Sequence, residues 1–311
     1  MSAAARLIAL DWGSTRLRAW LLGDHGTVLH ERGSDDGASC ISGGVAAFDT
    51  ALQTVAGDWL AQGVPAIACG MVGSAHGWRE ARYGACPADL GRLHEQLLEV
   101  PTAAGATLRI VPGLIDEPAG GTPDVMRGEE TQIVGLLAQQ PALAAACTVL
   151  MPGTHSKWVR VQQRRVVSLR TRMTGELYAV LRQHSVLGRL MPASDSSFDA
   201  EAFEAGVAAA RRGEGRDLSG LLFAVRTLGL TGRLAASALP DYLSGLLIGQ
   251  ELLAGLQQEP GRLALVGEAA LCQRYLHALH VLYAVGAMQH SVHTHTASAG
   301  LWQIAQQAGL V

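Results

Sequence analysis

The chain has 311 residues, 49% hydrophobic and 16% charged, with a formal net charge of −3. Such a composition builds a sizeable core, at the usual domain size two of them, and excludes a disordered chain or a basic binder of nucleic acid or anionic membrane. Five scattered cysteines (Cys40, Cys69, Cys86, Cys147, Cys272), in no C-x-x-C pair, read as reduced thiols rather than a disulfide framework or zinc site. Met1 to Ala5 show no basic region leading into an apolar stretch, so the expected location is cytoplasmic.

Taken in chain order, an apolar run Arg6–Asp11, the turn Gly13-Ser14-Thr15, a second run Leu17–Leu22, the turn Asp24-His25-Gly26 and a third run Thr27–Glu31 predict three short antiparallel strands. Phe48–Gln62 carries Leu52, Val55, Trp59 and Leu60 at helical spacing and is ended by Gly63 and Pro65. Ala66–Val72 reads as a buried strand, and Glu129–Gln140 as a helix closed by Pro141. Thr148–Met151, the turn Pro152 to Ser156, Lys157–Val161, the turn Gln162 to Arg165 and Val166–Leu169 then repeat the opening plan, which points to a duplicated architecture. Helices are predicted over Leu177–Leu187, Phe198–Arg211, Leu246–Gln257, Ala269–Leu279 and Ala297–Ala308, with a buried strand at Leu263–Val266. Strands alternating with helices and opening on hairpins give an α/β chain with mixed sheets.

Asp11, Gly13, Ser14 and Thr15 stand at a strand end and its turn, where backbone N–H groups and hydroxyls can meet phosphate oxygens and a carboxylate can hold Mg²⁺. Gly153, Thr154, His155 and Ser156 make the same offer, with Lys157 as an added cation; two such turns facing each other would clamp a triphosphate. Asp and Gly at hairpins are common for geometric reasons alone, so each turn by itself is a weak signal. Of the 24 basic residues only Lys157 is lysine, which fits a position needing a compact, mobile point charge. Asp124, Arg127, Gly128, Glu129 and Glu130 crowd the start of a predicted helix, where Asp124 or Glu129 serves as an N-cap, as the carboxylate that accepts a hydroxyl proton, or as both.

The glycine-rich stretch after Ala66–Val72 holds Ser74, His76 and Trp78 at a strand's C-terminal end, a ligand-binding position in α/β proteins. Arg170, Thr174 and Glu176 follow the second hairpin, where an arginine can read a substrate carboxylate. His290, His293 and His295 lack a carboxylate or thiolate at ligand spacing, and the chain has no P-loop, no strand-linked G-x-G-x-x-G and no G-x-S-x-G.

The blocks ALDWGSTRLRAWLL, GMVGSAHGW, PDVMRGEETQIVGLL, MPGTHSKWV, RTRMTGELYAVLRQHSVL and LVGEAALCQRYLHAL resemble the 2-dehydro-3-deoxygalactonokinases of the sugar-kinase and actin superfamily, and they span nearly the whole chain. The resemblance implies two ribonuclease H-like α/β domains with mixed sheets around a central nucleotide cleft. The first, about 1–128 with the C-terminal helix 297–311, would carry sugar acid and phosphate, and the second, about 129–296, the nucleotide. It also implies ATP and Mg²⁺, the metal on Asp11, and phosphorylation of the terminal hydroxyl of 2-dehydro-3-deoxy-D-galactonate in galactonate catabolism. By the same resemblance the two turns match the phosphate motifs, Gly267 lies in the adenosine motif, and the base falls to Glu129 with Asp124 in reserve. Two positions depart from the superfamily pattern. Pro152 stands where many members have Asp, and Gly267-Glu268 where they have Gly-Gly. The expected partners are the small-molecule substrates and a second copy in a homodimer, not nucleic acid or membrane. An ATP-binding regulator of the same fold, a kinase for another sugar acid and a phosphatase built on the acidic cluster are the competing readings.

Overall fold

The computed structural model describes residues 4–193, 197–213, 218–257, 261–283 and 289–311. The opening apolar run is β1 (Leu7–Trp12), in which every residue but Asp11 is buried, as expected for a central strand covered on both faces. β2 (Leu17–Leu22) and β3 (Val28–Ser34) complete an antiparallel meander. The helix α1 (Val45–Leu60) then carries the chain over to β4 (Ala66–Gly70), which lies parallel to β1. Short strands follow: β5 (Gly84–Ala85), β6 (Ala88–Asp89), β7 (Leu98–Pro101), β8 (Thr107–Ile110), β9 (Leu114–Asp116) and β10 (Asp124–Met126). The first sheet has the order β3-β2-β1-β4-β8-β7, and β10-β9-β5 form a small second sheet.

After α2 (Glu129–Gln139), the strands β11 (Ala146–Met151), β12 (Ser156–Gln162) and β13 (Arg165–Arg172) repeat the meander. Next come α3 (Thr174–His184), α4 (Ala200–Arg212), α5 (Leu218–Leu230), α6 (Leu239–Leu256), β14 (Arg262–Val266), α7 (Ala269–Leu282), β15 (Gln289–His293) and α8 (Thr296–Gln307). The third sheet reads β15-β14-β11-β12-β13-β6. Its run β13-β12-β11-β14-β15 matches β3-β2-β1-β4-β8 position for position, which is the duplication expected from the hairpins. The result is an α/β fold with mixed sheets built on a repeated meander.

The chain divides into two compact units, one of residues up to Val149 with Val159–Arg170 and His293–Val311, the other of Leu150–Trp158 and Thr171–Val292. In the first, the rings of Trp12, Phe48 and Trp78 meet with centroids 5.7–6.2 Å apart beneath the sheet. Helices α2 and α8 cross so closely there that a Cβ on Gly135 would lie 1.9 Å from the Thr296 carbonyl oxygen, and one on Gly300 1.9 Å from that of Thr131. Two glycines thus dock the C-terminal helix and fix the helix that opens with Glu129. The second unit centres on Leu150, Trp158, Phe203, Leu252 and Tyr275, with α4 against α6 through Gly206 and Gly245.

Three sequence expectations change. The helix expected over Leu177–Leu187 starts at Thr174 and ends at His184. The helix expected from Leu246 begins at Leu239, with Pro240 in its first turn, where its missing N–H costs nothing. Asp124 does not cap α2; it lies in β10 opposite Asp116, and the N-cap position belongs to Gly128. The turn that links β10 to the helix needs Gly128's φ of 105°, which separates Asp124 from the helix end.

Candidate functional site

In the first unit an acidic cluster forms where β1, β4 and α2 come together. Asp11 stands in register with Arg18 on β2 and with Cys69 on β4, and its carboxylate is 3.9 Å from the Arg18 guanidinium. The C-terminal end of β4 is glycine because a Cβ on Gly70 would lie 2.7 Å from the Trp12 carbonyl oxygen. Gly128 approaches the same spot, its added Cβ falling 3.1 Å from the Gly70 Cα. This close glycine contact brings the first turn of α2 to the strand ends.

There the Glu129 carboxylate accepts the Arg127 N–H at 2.9 Å. Glu130 is 0% exposed; one oxygen accepts the Gly128 N–H at 2.7 Å, and the other bonds the Thr131 hydroxyl at 2.9 Å. Burial, with the Glu129 charge second, pushes the Glu130 carboxyl up to about 8. Burial likewise raises Asp11, with Arg18 opposing. The Cys69 thiol is pushed well above its ordinary value by burial and then by Asp11, Glu130 and Glu129. Four titratable groups therefore share one electrostatic neighbourhood. Glu130 was visible in the sequence only as the second of two adjacent acids. Nothing in the pattern said which one would be buried.

The Gly13–Thr15 turn leaves both hydroxyl residues exposed. Gly13 N–H donates to the Arg16 carbonyl, while Ala38 and Ser39 N–H groups donate to the carbonyls of Gly13 and Ser14, each at 2.9 Å. Gly37 makes this backing possible, since a Cβ there would lie 2.2 Å from the Thr15 carbonyl carbon. Sequence reasoning missed Gly37, and a lone glycine after two aspartates offers no signal for it. Gly13 is different: its φ is not positive, and a Cβ would find only an ordinary contact 3.5 Å away.

Beyond β4, the Ser74–Trp78 turn is closed by Gly77 N–H to the Ser74 carbonyl and Trp78 N–H to the Val72 carbonyl, each at 2.9 Å. His76 is exposed, Ser74 half-buried, and Trp78, at 5% exposed, belongs to the aromatic core. Arg170 is held by Asp116, whose carboxylate accepts from its guanidinium at 2.9 Å and from the Leu169 N–H at 3.1 Å.

In the second unit the turn after β11 packs on the first turn of α3. Glu176 N–H donates to the Thr154 carbonyl at 3.0 Å, and the His155 ring contacts the Glu176 carboxylate. A Cβ on Gly175 would lie 2.4 Å from the Gly153 carbonyl oxygen, so only glycine admits the loop there. Thr174 and Glu176, expected from the sequence as substrate-binding residues after the second hairpin, stand in the first turn of α3, against this loop. Thr154 is exposed, whereas Ser156 is 0% exposed with its hydroxyl 3.2 Å from that of Tyr275. Lys157 is 8% exposed, and its ammonium donates to the Thr171 hydroxyl at 2.8 Å. It is an anchored cation, not the mobile one its sequence context suggested. Gly267 lies against Pro152, and Glu268 caps α7 by accepting the N–H groups of Ala270 and Leu271. Those bonds hold the Glu268 carboxyl below its usual range. Around Gly153, a Cβ would meet nothing within 4 Å, and its φ is not positive.

Comparison with known proteins places the chain in a family. The model of a family described as 2-keto-3-deoxy-galactonokinase matches residues 11–304. The 2-dehydro-3-deoxygalactonokinase of Escherichia coli K12 is 38% identical over 282 residues, 89% of this chain and 90% of that protein. A Sinorhizobium meliloti crystal structure described as a 2-dehydro-3-deoxygalactonokinase protein superposes with a TM-score of 0.85 at 34% identity, covering 96% of this chain and 98% of that one. Component A of (R)-2-hydroxyglutaryl-CoA dehydratase from Acidaminococcus fermentans shares the fold alone, with a TM-score of 0.50 at 10% identity over 98% of this chain and 100% of its own.

Proposed function

Because this chain belongs to the 2-keto-3-deoxy-galactonokinase family, we propose that it transfers the γ-phosphoryl group of ATP to the terminal hydroxyl of 2-dehydro-3-deoxy-D-galactonate. The observation that carries the residue-level reading is the pair Gly13 and Gly153. Each heads a turn in the same place of the repeated meander, and neither is glycine because of backbone conformation or packing. A missing side chain that the protein does not need marks a place where a ligand's phosphate comes close to the backbone.

In this reading Ser14 and Thr15 meet phosphate oxygens with N–H and hydroxyl groups, Gly13, whose own N–H is held by the Arg16 carbonyl, leaves room for the phosphate, and Gly153, Thr154 and His155 line the turn in the second unit. Ser156 contributes through its main chain, since its hydroxyl faces inward. Lys157, steadied by Thr171, offsets negative charge on the transferring group. Gly267 and the capped start of α7 lie beside the second turn, on the nucleotide side. The first unit takes the sugar acid through Ser74, His76 and the loop they share, with Trp78 as its buried base and Arg170 available to the carboxylate. Glu129 accepts the hydroxyl proton: it stands half-buried in the first turn of α2, whereas its neighbour Glu130 is fully buried. Asp124, in β10, is the second candidate.

Among the described residues no group of three or more His, Cys, Asp or Glu could hold a metal. Mg²⁺ at nucleotide sites usually takes one or two carboxylates, with phosphates and water completing its shell. Asp11 fits that need, because its raised carboxyl gains a counter-charge from a bound ion. Mg²⁺ there would neutralise the phosphates. No helix among the described residues is long and apolar enough to cross a membrane. A cytoplasmic homodimer completes the proposal.

The test is a coupled assay of ATP consumption against a panel of sugar acids. Fast turnover with 2-dehydro-3-deoxy-D-galactonate supports the reading. Phosphate release without an acceptor would make the protein a hydrolase, and ATP binding without turnover a regulator.

A further inference from the structure

Ser156, Tyr275, Glu251 and Trp158 form a buried polar chain in the second unit, with the half-buried Thr174 at its edge. Tyr275 on α7 and Glu251 on α6 are 1% and 4% exposed. One Glu251 oxygen accepts Trp158 Nε1–H at 2.8 Å and the other accepts the Tyr275 hydroxyl at 2.6 Å. A phenol has one proton to give, and here it goes to the carboxylate. The Ser156 hydroxyl, 3.2 Å from the Tyr275 oxygen, is therefore the donor in that pair. Thr174 also bonds Tyr275, and by the same count it too donates. One phenol oxygen thus holds both rims of the Gly153–Lys157 turn: Ser156 where the turn enters β12, and Thr174 where α3 begins to support it.

We propose that Tyr275, oriented by Glu251, is a positioning residue for ATP, holding the second turn in the shape that receives phosphate. The proposal rests on the assignment of that turn to ATP. It goes further by placing the control of the turn's shape in a residue about 120 positions away in sequence, buried and unable to touch the nucleotide. Tyr275 also lies on the helix that starts beside Gly267, so one side chain links the turn to α7.

The experiment measures the affinity of a non-hydrolysable ATP analogue by calorimetry, together with the KM for each substrate. Tyr275→Phe, which keeps the ring, should weaken the analogue about tenfold and raise the ATP KM alike, leaving the sugar-acid KM within about twofold. Ser156→Ala cuts the same link from the loop side and should reproduce the effect; it decides the matter if Tyr275→Phe does not fold. The double variant should bind no worse than either single one. Unchanged ATP affinity in both single variants, while Lys157→Ala weakens it, overturns the positioning role and leaves the loop assignment standing. Unchanged affinity in all three overturns the assignment itself. Losses that add in the double variant mean two independent defects, and also overturn the proposal.

Discussion

The Gly13–Thr15 turn and the Gly153–Lys157 turn occupy the same place in two repeats of one meander, yet they are held in different ways. The first is backed by main chain: Ala38 and Ser39 donate to its carbonyls, and Gly37 lets their segment come close. The second adds side chains to its one main-chain bond from Glu176 N–H to the Thr154 carbonyl, with His155 on Glu176, Ser156 on Tyr275 and Lys157 on Thr171. Their charge is opposite too. Carboxylates gather beside the first, at Asp11, Glu129 and Glu130, while the second brings the chain's only lysine. In the proposed function, the two copies of the meander divide the work: the first turn's side carries the proton acceptor and metal ligand, and the second the cation.

The largest expected effect tests the acidic side. Glu129→Gln keeps the size and the bond to Arg127 N–H but cannot take a proton, so kcat should fall by about 10²–10⁴ with ATP affinity within a few-fold. If Asp124→Asn loses turnover and Glu129→Gln keeps it, the roles are reversed. On the basic side, Lys157→Ala should lower kcat/KM by about 10- to 1000-fold, and full activity in a folded variant removes the cation from the comparison.

Next comes the backing of the first turn. Gly37→Ala forces a Cβ to within 2.2 Å of Thr15's backbone, so thermal melts should show a loss of about 1–3 kcal/mol. An unaltered melting temperature would mean that this turn yields easily.

The last effect is a slope. Burial pushes the folded Glu130 carboxyl up to about 8, against an ordinary 4.5. Between those values the native state holds a proton that the unfolded chain has lost, so stability from this group is full below the lower value and declines as pH rises through the upper one. Melting temperatures between about pH 5 and 8 should therefore fall with pH, and Glu130→Gln, which stays neutral, should flatten the slope. Identical slopes would place Glu130's proton elsewhere.

How much of this could be read from residues depends on whether the signal was local. The meander, α1, β4 and α2 were legible because apolar spacing and Gly or Pro stops act within a few residues, and the repeat because the same local plan occurs twice. The strands β7 to β10 were not, since runs of three or four residues carry too little periodicity to separate them from loop. The turns and the Glu129–Glu130 pair were legible as residue types, and the family from their combination. The structure alone decided which groups are buried: Trp78 joined the aromatic core, Ser156 turned toward Tyr275, Lys157 was anchored to Thr171, and Glu130 rather than Glu129 lost its water. Burial is set by which distant segments pack on a side chain. Segments that meet through Gly37, Gly70 and Gly128 leave only isolated glycines in the sequence to announce it.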